Sequence, residues 1–224
     1  DSADAFHWRG LVLYSMMLTD ESIADYTRSL DLAKNDNQRI ASFMNRGVSR
    51  LQKRDFQGGY EDFTRALFYK PDDIGIINNI ATVLDELGRT DEAIKHLNRI
   101  VELDSTFIGS YINLGFQYIK LKRYKEAIAY FDKAIKLSPT EPLTWNNRGL
   151  ARYYLNDLAG ALQDINKSLS LYSQNSYAYK NRALVYLAQN KKDQACEDLR
   201  KALENGFEQM YGDEVSELIK QHCK

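Results

Sequence analysis

Only three prolines and twelve glycines occur in 224 residues, too few breakers for the turn every eight to twelve residues that a β-sandwich or barrel requires. The long unbroken stretches between them suit helices. An excess of one charge is missing as well: 30 basic side chains stand against 31 acidic ones, for a formal net charge of -1. Nothing global therefore draws in nucleic acid or anionic lipid. The longest apolar run, Leu11 to Leu18, is interrupted by Ser15 and falls well short of the roughly 20 residues that cross a bilayer. Histidines are scarce, and His7, His96 and His222 lack the spacing of a zinc site; His222 beside Cys223 is their one adjacent pairing with another metal-type ligand. A Gly-rich phosphate loop, a nucleophile elbow and a second acidic row across from a first are all absent. These absences point away from an enzyme, a metal site or a cofactor. What remains, 44% hydrophobic and 27% charged residues, is the composition of a folded globular chain and excludes disorder as its main state.

What is present is a repeat. Gly47, Ala81, Gly115, Gly149 and Ala183 follow one another at intervals of 34 residues, and Gly10 precedes Gly47 by 37. With that small residue at position 8, six units run 3–36, 40–73, 74–107, 108–141, 142–175 and 176–209, with Asn37, Gln38 and Arg39 inserted after the first and a tail at 210–224. Twelve positions on lies a second small column, Ser22, Gly59, Ala93, Ala127, Ala161 and Ala195, and position 27 adds Ser29, Ala66, Ala134, Ser168 and Ala202, broken by Ile100. Small residues at fixed spacing mark where two helices approach most closely, since a large side chain there would overpack the contact. Apolar residues recur around them at helical spacing, as in Ile94, Leu97 and Val101 or Ile128, Phe131 and Ile135. Pro71 and Pro139 close two units, and Pro142 sits where a helix begins. Each unit reads as two antiparallel helices and the chain as all-α. The tail, with Val215, Leu218 and Ile219 in helical register, reads as one more helix capping the apolar face of the last unit, for thirteen helices in all.

These columns resemble the tetratricopeptide repeat, which places an aromatic residue at position 4, small residues at 8 and 20, and proline at 32. Tyr111, Asn113, Leu114, Gly115, Tyr118, Tyr124, Ala127, Phe131, Ala134 and Pro139 fill the pattern in the fourth unit, and Trp145, Asn147, Arg148 and Gly149 open the fifth in the same way. The likeness is weaker in the first unit, where Ser22 and Ser29 replace alanines, and in the sixth, where Asn205-Gly206 ends the second helix early. The resemblance implies an α-solenoid, a right-handed superhelix of helix pairs whose first helices line a concave groove through positions 2, 5, 6, 9, 12 and 13.

Position 6 is Trp8 in the first unit and then Asn45, Asn79, Asn113, Asn147 and Asn181. A carboxamide both donates and accepts, so such a row can pair with successive main-chain amides of an extended peptide whatever its side chains. It is similar to the asparagine ladders by which some members of the family hold peptides. The other reading is that asparagine is the family's habit here and bonds locally. Beside the row stand Met44, Val48, Leu51, Ile112, Phe116, Ile119, Leu150, Tyr153, Tyr154, Tyr177, Leu184 and Leu187, and Phe116 and Tyr153 join the asparagines as expected contacts. The lysine and asparagine pair at positions 5 and 9 with which chaperone-binding members grip a carboxylate is missing: those positions hold His7 with Leu11, Met44 with Val48, and Ile112 with Phe116. Arg9, Arg46, Arg148 and Arg182 at position 7 read as snorkelling at helix contacts. Lys53, Arg54, Lys120, Lys122, Arg123, Lys125, Lys191 and Lys192 read as a solvated edge.

Cys196 occupies position 21 and Cys223 lies near the end of the tail. Antiparallel packing of the cap on the sixth unit brings them within reach of a disulfide; the alternative is a buried thiol acting as a small hydrophobe. The resemblance extends to exported bacterial members with an alanine-cysteine in the last repeat and a cysteine ending the final helix, and a bond implies an oxidising, periplasmic or extracellular setting; with free thiols the cytoplasm is the alternative. The expected function is a protein-protein interaction module that holds an extended segment in its groove. Two rival readings are a scaffold assembling through its ends or convex face, as a homo-oligomer or in a larger complex, and a regulatory part of a longer enzyme.

Overall fold

The computed structural model describes residues 2–223, and all the regular elements among them are helices: α1 (Ala3–Ser15), α2 (Thr19–Leu32), α3 (Asp36–Gln52), α4 (Phe56–Tyr69), α5 (Ile74–Glu86), α6 (Thr90–Leu103), α7 (Ile108–Lys120), α8 (Tyr124–Leu137), α9 (Pro142–Tyr154), α10 (Leu158–Leu171), α11 (Ser176–Ala188), α12 (Lys192–Glu204), α13 (Phe207–Tyr211) and α14 (Glu214–His222). They form two compact units that meet in sequence inside α7, one ending at Ser110 and the other starting at Tyr111. In the first unit α1 pairs with α2, α3 with α4 and α5 with α6. In the second, Tyr118 and Ile119 of α7 pack on Ala127 and Phe131 of α8, α9 pairs with α10, and α11 with α12. The architecture is an all-α solenoid of antiparallel helix pairs.

Each pair turns at the same place. Met17, Arg54, Gly88, Lys122, Asn156 and Asn190 all stand at position 15, and all have φ between 58° and 70°. The left-handed residue lets the chain reverse while the last carbonyls of the first helix find donors: in the first repeat the Met17 amide donates to the Tyr14 carbonyl and the Leu18 amide to that of Leu13. Glycine fills this position once in six, so the turn is held by its hydrogen bonds rather than by backbone freedom.

In five of the six repeats the small residue at position 8 matches the residue at position 24 in size, and in the fifth Gly149 faces Ile165. A Cβ added at Gly10, Gly47 or Gly115 would stand 2.8, 2.7 or 2.5 Å from the ring of Tyr26, Phe63 or Phe131 respectively. Where position 8 is alanine, at Ala81 and Ala183, position 24 is leucine, at Leu97 and Leu199, and all four are buried. Gly115→Ala is therefore expected to destabilise the protein: overpacking against a fully buried ring costs about 1–3 kcal/mol, of which the better helix propensity of alanine returns roughly 1 kcal/mol. Adding Phe131→Leu, the pairing this chain already uses twice, should recover much of the loss in a double-mutant cycle by urea denaturation. Strictly additive effects would show that ring size does not set the column.

The arginines at position 7 are not snorkelling. Each reaches position 23 of its own second helix and grips a carboxylate with Nε and Nη2: Arg46 on Asp62 at 2.9 and 2.7 Å, Arg148 on Asp164 at 2.8 and 2.7 Å, Arg182 on Asp198 at 2.7 and 2.8 Å, and Arg9 on Asp25 in the same way. The Nη1 of Arg46, Arg148 and Arg182 donates onward to Thr27, Asp132 and Asn166 at position 25 of the preceding repeat, at 2.9, 2.6 and 2.6 Å. Bidentate geometry satisfies the guanidinium plane and fixes its direction. The serines that weaken the first repeat's likeness have a matching role, because Ser22 donates to Ser49 and Ser29 pairs with Ser42; these buried hydroxyls join repeats one and two, and an alanine in place of Ser22 would take from Ser49 its donor.

Where a single tail helix is expected, there are two. Gly206 and Gly212 have φ of 80° and 84°, which break the chain before and after the short α13 and direct α14 back onto α12. Val215 is fully buried, with Leu218 and Ile219 beside it against Ala195, Leu199 and Ala202, as a cap requires.

Candidate functional site

The resemblance implies a groove-facing stripe at positions 2, 5, 6, 9, 12 and 13 of each first helix, where residues three and four apart lie on one side. The expected row of equivalent asparagines is not what forms. Asn181 is 1% exposed and donates through Nδ2 to Asn146 Oδ1 at 3.0 Å; it is an interior residue and leaves the row. Asn146, at position 5 and fully buried, is the hub that the sequence did not single out, since its own Nδ2 donates to Asn147 Oδ1 at 3.3 Å. Asn147 is half-buried, and its Nδ2 makes no hydrogen bond among the described residues. Asn113 is half-buried on α7. In the first unit Asn45 lies 3.3 Å from His7 Nε2, and burial lowers the pKa of His7. Asn79 is half-buried with no side-chain hydrogen bond among the described residues.

The apolar part of the stripe is uneven in the same way. Phe116 is 37% exposed, with the Lys120 ammonium 5.2 Å from its ring centroid. Tyr153 is half-buried and packs on the core around Ala161, Ile165 and Val185. Its neighbour Tyr154 carries the exposed surface at 48% and stacks on Tyr124 at 4.8 Å. Farther along the second unit, Tyr177 stacks on Phe207 and lies 5.3 Å from Tyr211. Burial, then Tyr124, Tyr153 and Glu214, raise the pKa of Tyr154; burial, then Glu214, Tyr154 and Tyr211, raise that of Tyr177. Both phenols stay protonated near neutral pH and offer a donor. Lys180, at position 5 of the sixth repeat, is a second residue the sequence did not bring forward: its Nζ is 2.8 Å from Glu214 of the cap and 5.3 Å from the centre of the Tyr177 ring.

The basic edge is solvated and locally neutralised, with Lys53 paired to Asp20 and Arg123 to Glu126 and Arg54 over Phe56. Cys196 and Cys223 are joined by a disulfide with Cα atoms 5.6 Å apart. Among the described residues no group of three His, Cys, Asp or Glu could hold a metal, and no helix is long and apolar enough to cross a membrane.

Comparison with known proteins agrees with the repeat. Tetratricopeptide patterns match residues 74–107, 109–141 and 146–206. A human protein, DnaJ homolog subfamily C member 7, is 28% identical over 124 residues, which is 50% of this chain and 25% of the relative, so the match spans about a quarter of that protein's length. Among solved structures, PilF of Pseudomonas aeruginosa superposes with a TM-score of 0.74 at 18% identity, over 99% of this chain and 97% of PilF. YrrB, described as a tetratricopeptide protein with an unusual peptide-binding site, gives 0.62 at 20% identity over 77% of this chain and 88% of its own. Such identities speak to the fold, and the three pattern matches together span more than half of the sequence. With its helix pairs, turns and small columns all in that register, the chain belongs to the tetratricopeptide repeat family.

Proposed function

We propose that the protein is an interaction module that holds an extended partner segment along the first-helix stripe of its second unit. The fold suits binding to a protein or peptide, and the observation that carries the finer reading is the exposure of Phe116 and Tyr154 on first helices of this unit, with the unspent amide of Asn147 two turns from Tyr154 on the same side of α9. Apolar side chains give such a segment affinity, and a carboxamide with a vacant donor reads its main chain whatever the sequence. Of the five-rung ladder, Asn113 and Asn147 are the contacts we propose in this unit, while Asn181 supports Asn147 from inside through Asn146. We also propose that the protein works in an oxidising compartment, because the Cys196–Cys223 bond persists only there.

A peptide selected from a display library against the whole chain tests the binding mode. Phe116→Ala with Tyr154→Ala is expected to weaken it at least tenfold, and Asn147→Ala severalfold, in keeping with about 0.5–1.5 kcal/mol for a net hydrogen bond. Tyr172→Ala, equally exposed at 49% but outside the stripe, should change little. Equal losses at Tyr172 and at the Phe116 pair would place binding elsewhere.

A further inference from the structure

The polar groups left open along the first-helix stripe of the second unit are donors. Asn147 accepts from Asn146 through Oδ1, and its Nδ2 makes no hydrogen bond among the described residues. Neither do the hydroxyls of Tyr154 and Tyr177, which stand at positions 13 and 2 of successive repeats. Burial above all raises the pKa of both phenols, so they keep their protons. The charges beside them are already matched: Glu214 takes Lys180 Nζ at 2.8 Å, and the same ammonium stands 5.3 Å from the centre of the Tyr177 ring. A lysine or arginine from a partner finds that place filled. The rings gather in two groups. Tyr154 stacks on Tyr124 with centroids 4.8 Å apart, and Tyr177 lies 6.0 Å from Phe207 and 5.3 Å from Tyr211. Glu214 acts on the titration of both Tyr154 and Tyr177, which sets the two groups around one carboxylate. Tyr154 and Tyr211 leave about half of their surface open, 48% and 53%.

We infer that the occupant of this stripe is a proline-rich segment in the polyproline II conformation, an identification that rests on the proposed reading of the stripe as a binding surface. A segment of ordinary residues brings an N–H with each carbonyl, and an N–H turned to this stripe meets donors. Left without an acceptor as water is excluded, it opposes binding. Proline brings the carbonyl alone. In a polyproline II helix those carbonyls have no internal partners and can accept from Asn147 Nδ2 and from the two phenols. The pyrrolidine rings pack on tyrosine faces, as in other aromatic-lined grooves that take such segments. The fixed φ of proline also lowers the entropy lost when the segment is ordered.

Fluorescence anisotropy of labelled decaproline with the whole chain tests it, with unlabelled decaproline as competitor. Decaproline is expected to bind, and a decamer that alternates proline with alanine, restoring N–H groups, to bind roughly tenfold or more weakly. Tyr154→Phe keeps the ring and removes the donor; it should weaken decaproline about threefold to tenfold, the range of one net hydrogen bond. Tyr172→Phe, outside the stripe, should leave the affinity unchanged. Equal affinity for the two decamers overturns the proposal, as does decaproline binding that is indifferent to Tyr154→Phe. If decaproline fails to bind while the display-selected peptide still depends on Phe116 and Tyr154, the stripe is a binding surface whose partner is not proline-rich. If the selected peptide is indifferent to both residues, the stripe itself falls, and this identification with it.

Discussion

Asp164→Ala is expected to lower the urea midpoint by about 1–2 M, a loss of roughly 3–5 kcal/mol, because it removes the acceptor from two arginines that remain half-buried. Asp164 is 1% exposed and takes two hydrogen bonds from Arg148, and Arg152 Nη1 lies 3.1 Å away. Without it, Arg148, 12% exposed, keeps only Asp132, itself 53% exposed. That outer bond is the surface part of the network, so Asp132→Ala should cost no more than about 1 kcal/mol. The chain contains its own control. In the fourth repeat positions 7, 11 and 23 are Leu114, Tyr118 and Tyr130, with Leu114 fully buried and the two tyrosines stacked at 5.2 Å. Transplanting that set as Arg148→Leu, Arg152→Tyr and Asp164→Tyr is expected to stay within about 1.5 kcal/mol of the parent, since exchanging a whole buried ion pair for packed apolar groups is often neutral while breaking it is not. A single Asp164→Ala variant as stable as Asp132→Ala would mean that the bidentate grip contributes nothing beyond a surface pair.

That network also shows where sequence reading stops. The 34-residue period, the small columns and the helix pairs were legible because close helix contacts allow few residues, and their spacing is fixed by the chain itself. Arg9, Arg46, Arg148 and Arg182 formed a visible row, but their partners Asp25, Asp62, Asp164 and Asp198 lie 16 residues on, in a column where the third and fourth repeats carry His96 and Tyr130. A charged residue at a core register reads as a break in the pattern until its partner is found on another helix. The asparagines share position 6, yet exposure depends on what packs above each rung: Asn147 keeps a donor, whereas Asn181 spends its own on Asn146, which stands at position 5 and carries no repeating signal. The break at Gly212 escaped because one glycine between two short helical stretches differs little from one within a helix until its φ of 84° is known.

Cys196→Ser with Cys223→Ser should release α14 and leave most of the solenoid intact. Closing a loop of this size, with the two cysteines 27 residues apart, removes unfolded-state entropy equivalent to about 3–4 kcal/mol. The effect is local because of what α14 is: a helix of nine residues, shorter than the roughly 12–15 at which an isolated helix becomes even marginal, held by Val215, Leu218 and Ile219 on α12. Its remaining contacts are that apolar strip and the Lys180–Glu214 pair, few enough for α14 to open without the rest. Amides of α14 are therefore expected to lose about a hundredfold or more in hydrogen-exchange protection, while those of α9 and α10 change little. Opening would uncover Phe207 and Val215, both fully buried, and should appear as binding of a hydrophobic dye well below the main unfolding transition. Treating the parent protein with dithiothreitol should reproduce both results. Unchanged protection in α14 would show that apolar packing alone holds the cap, and two free thiols in mass spectra of the unreduced protein would remove the staple and, with it, the reason to place the protein in an oxidising compartment.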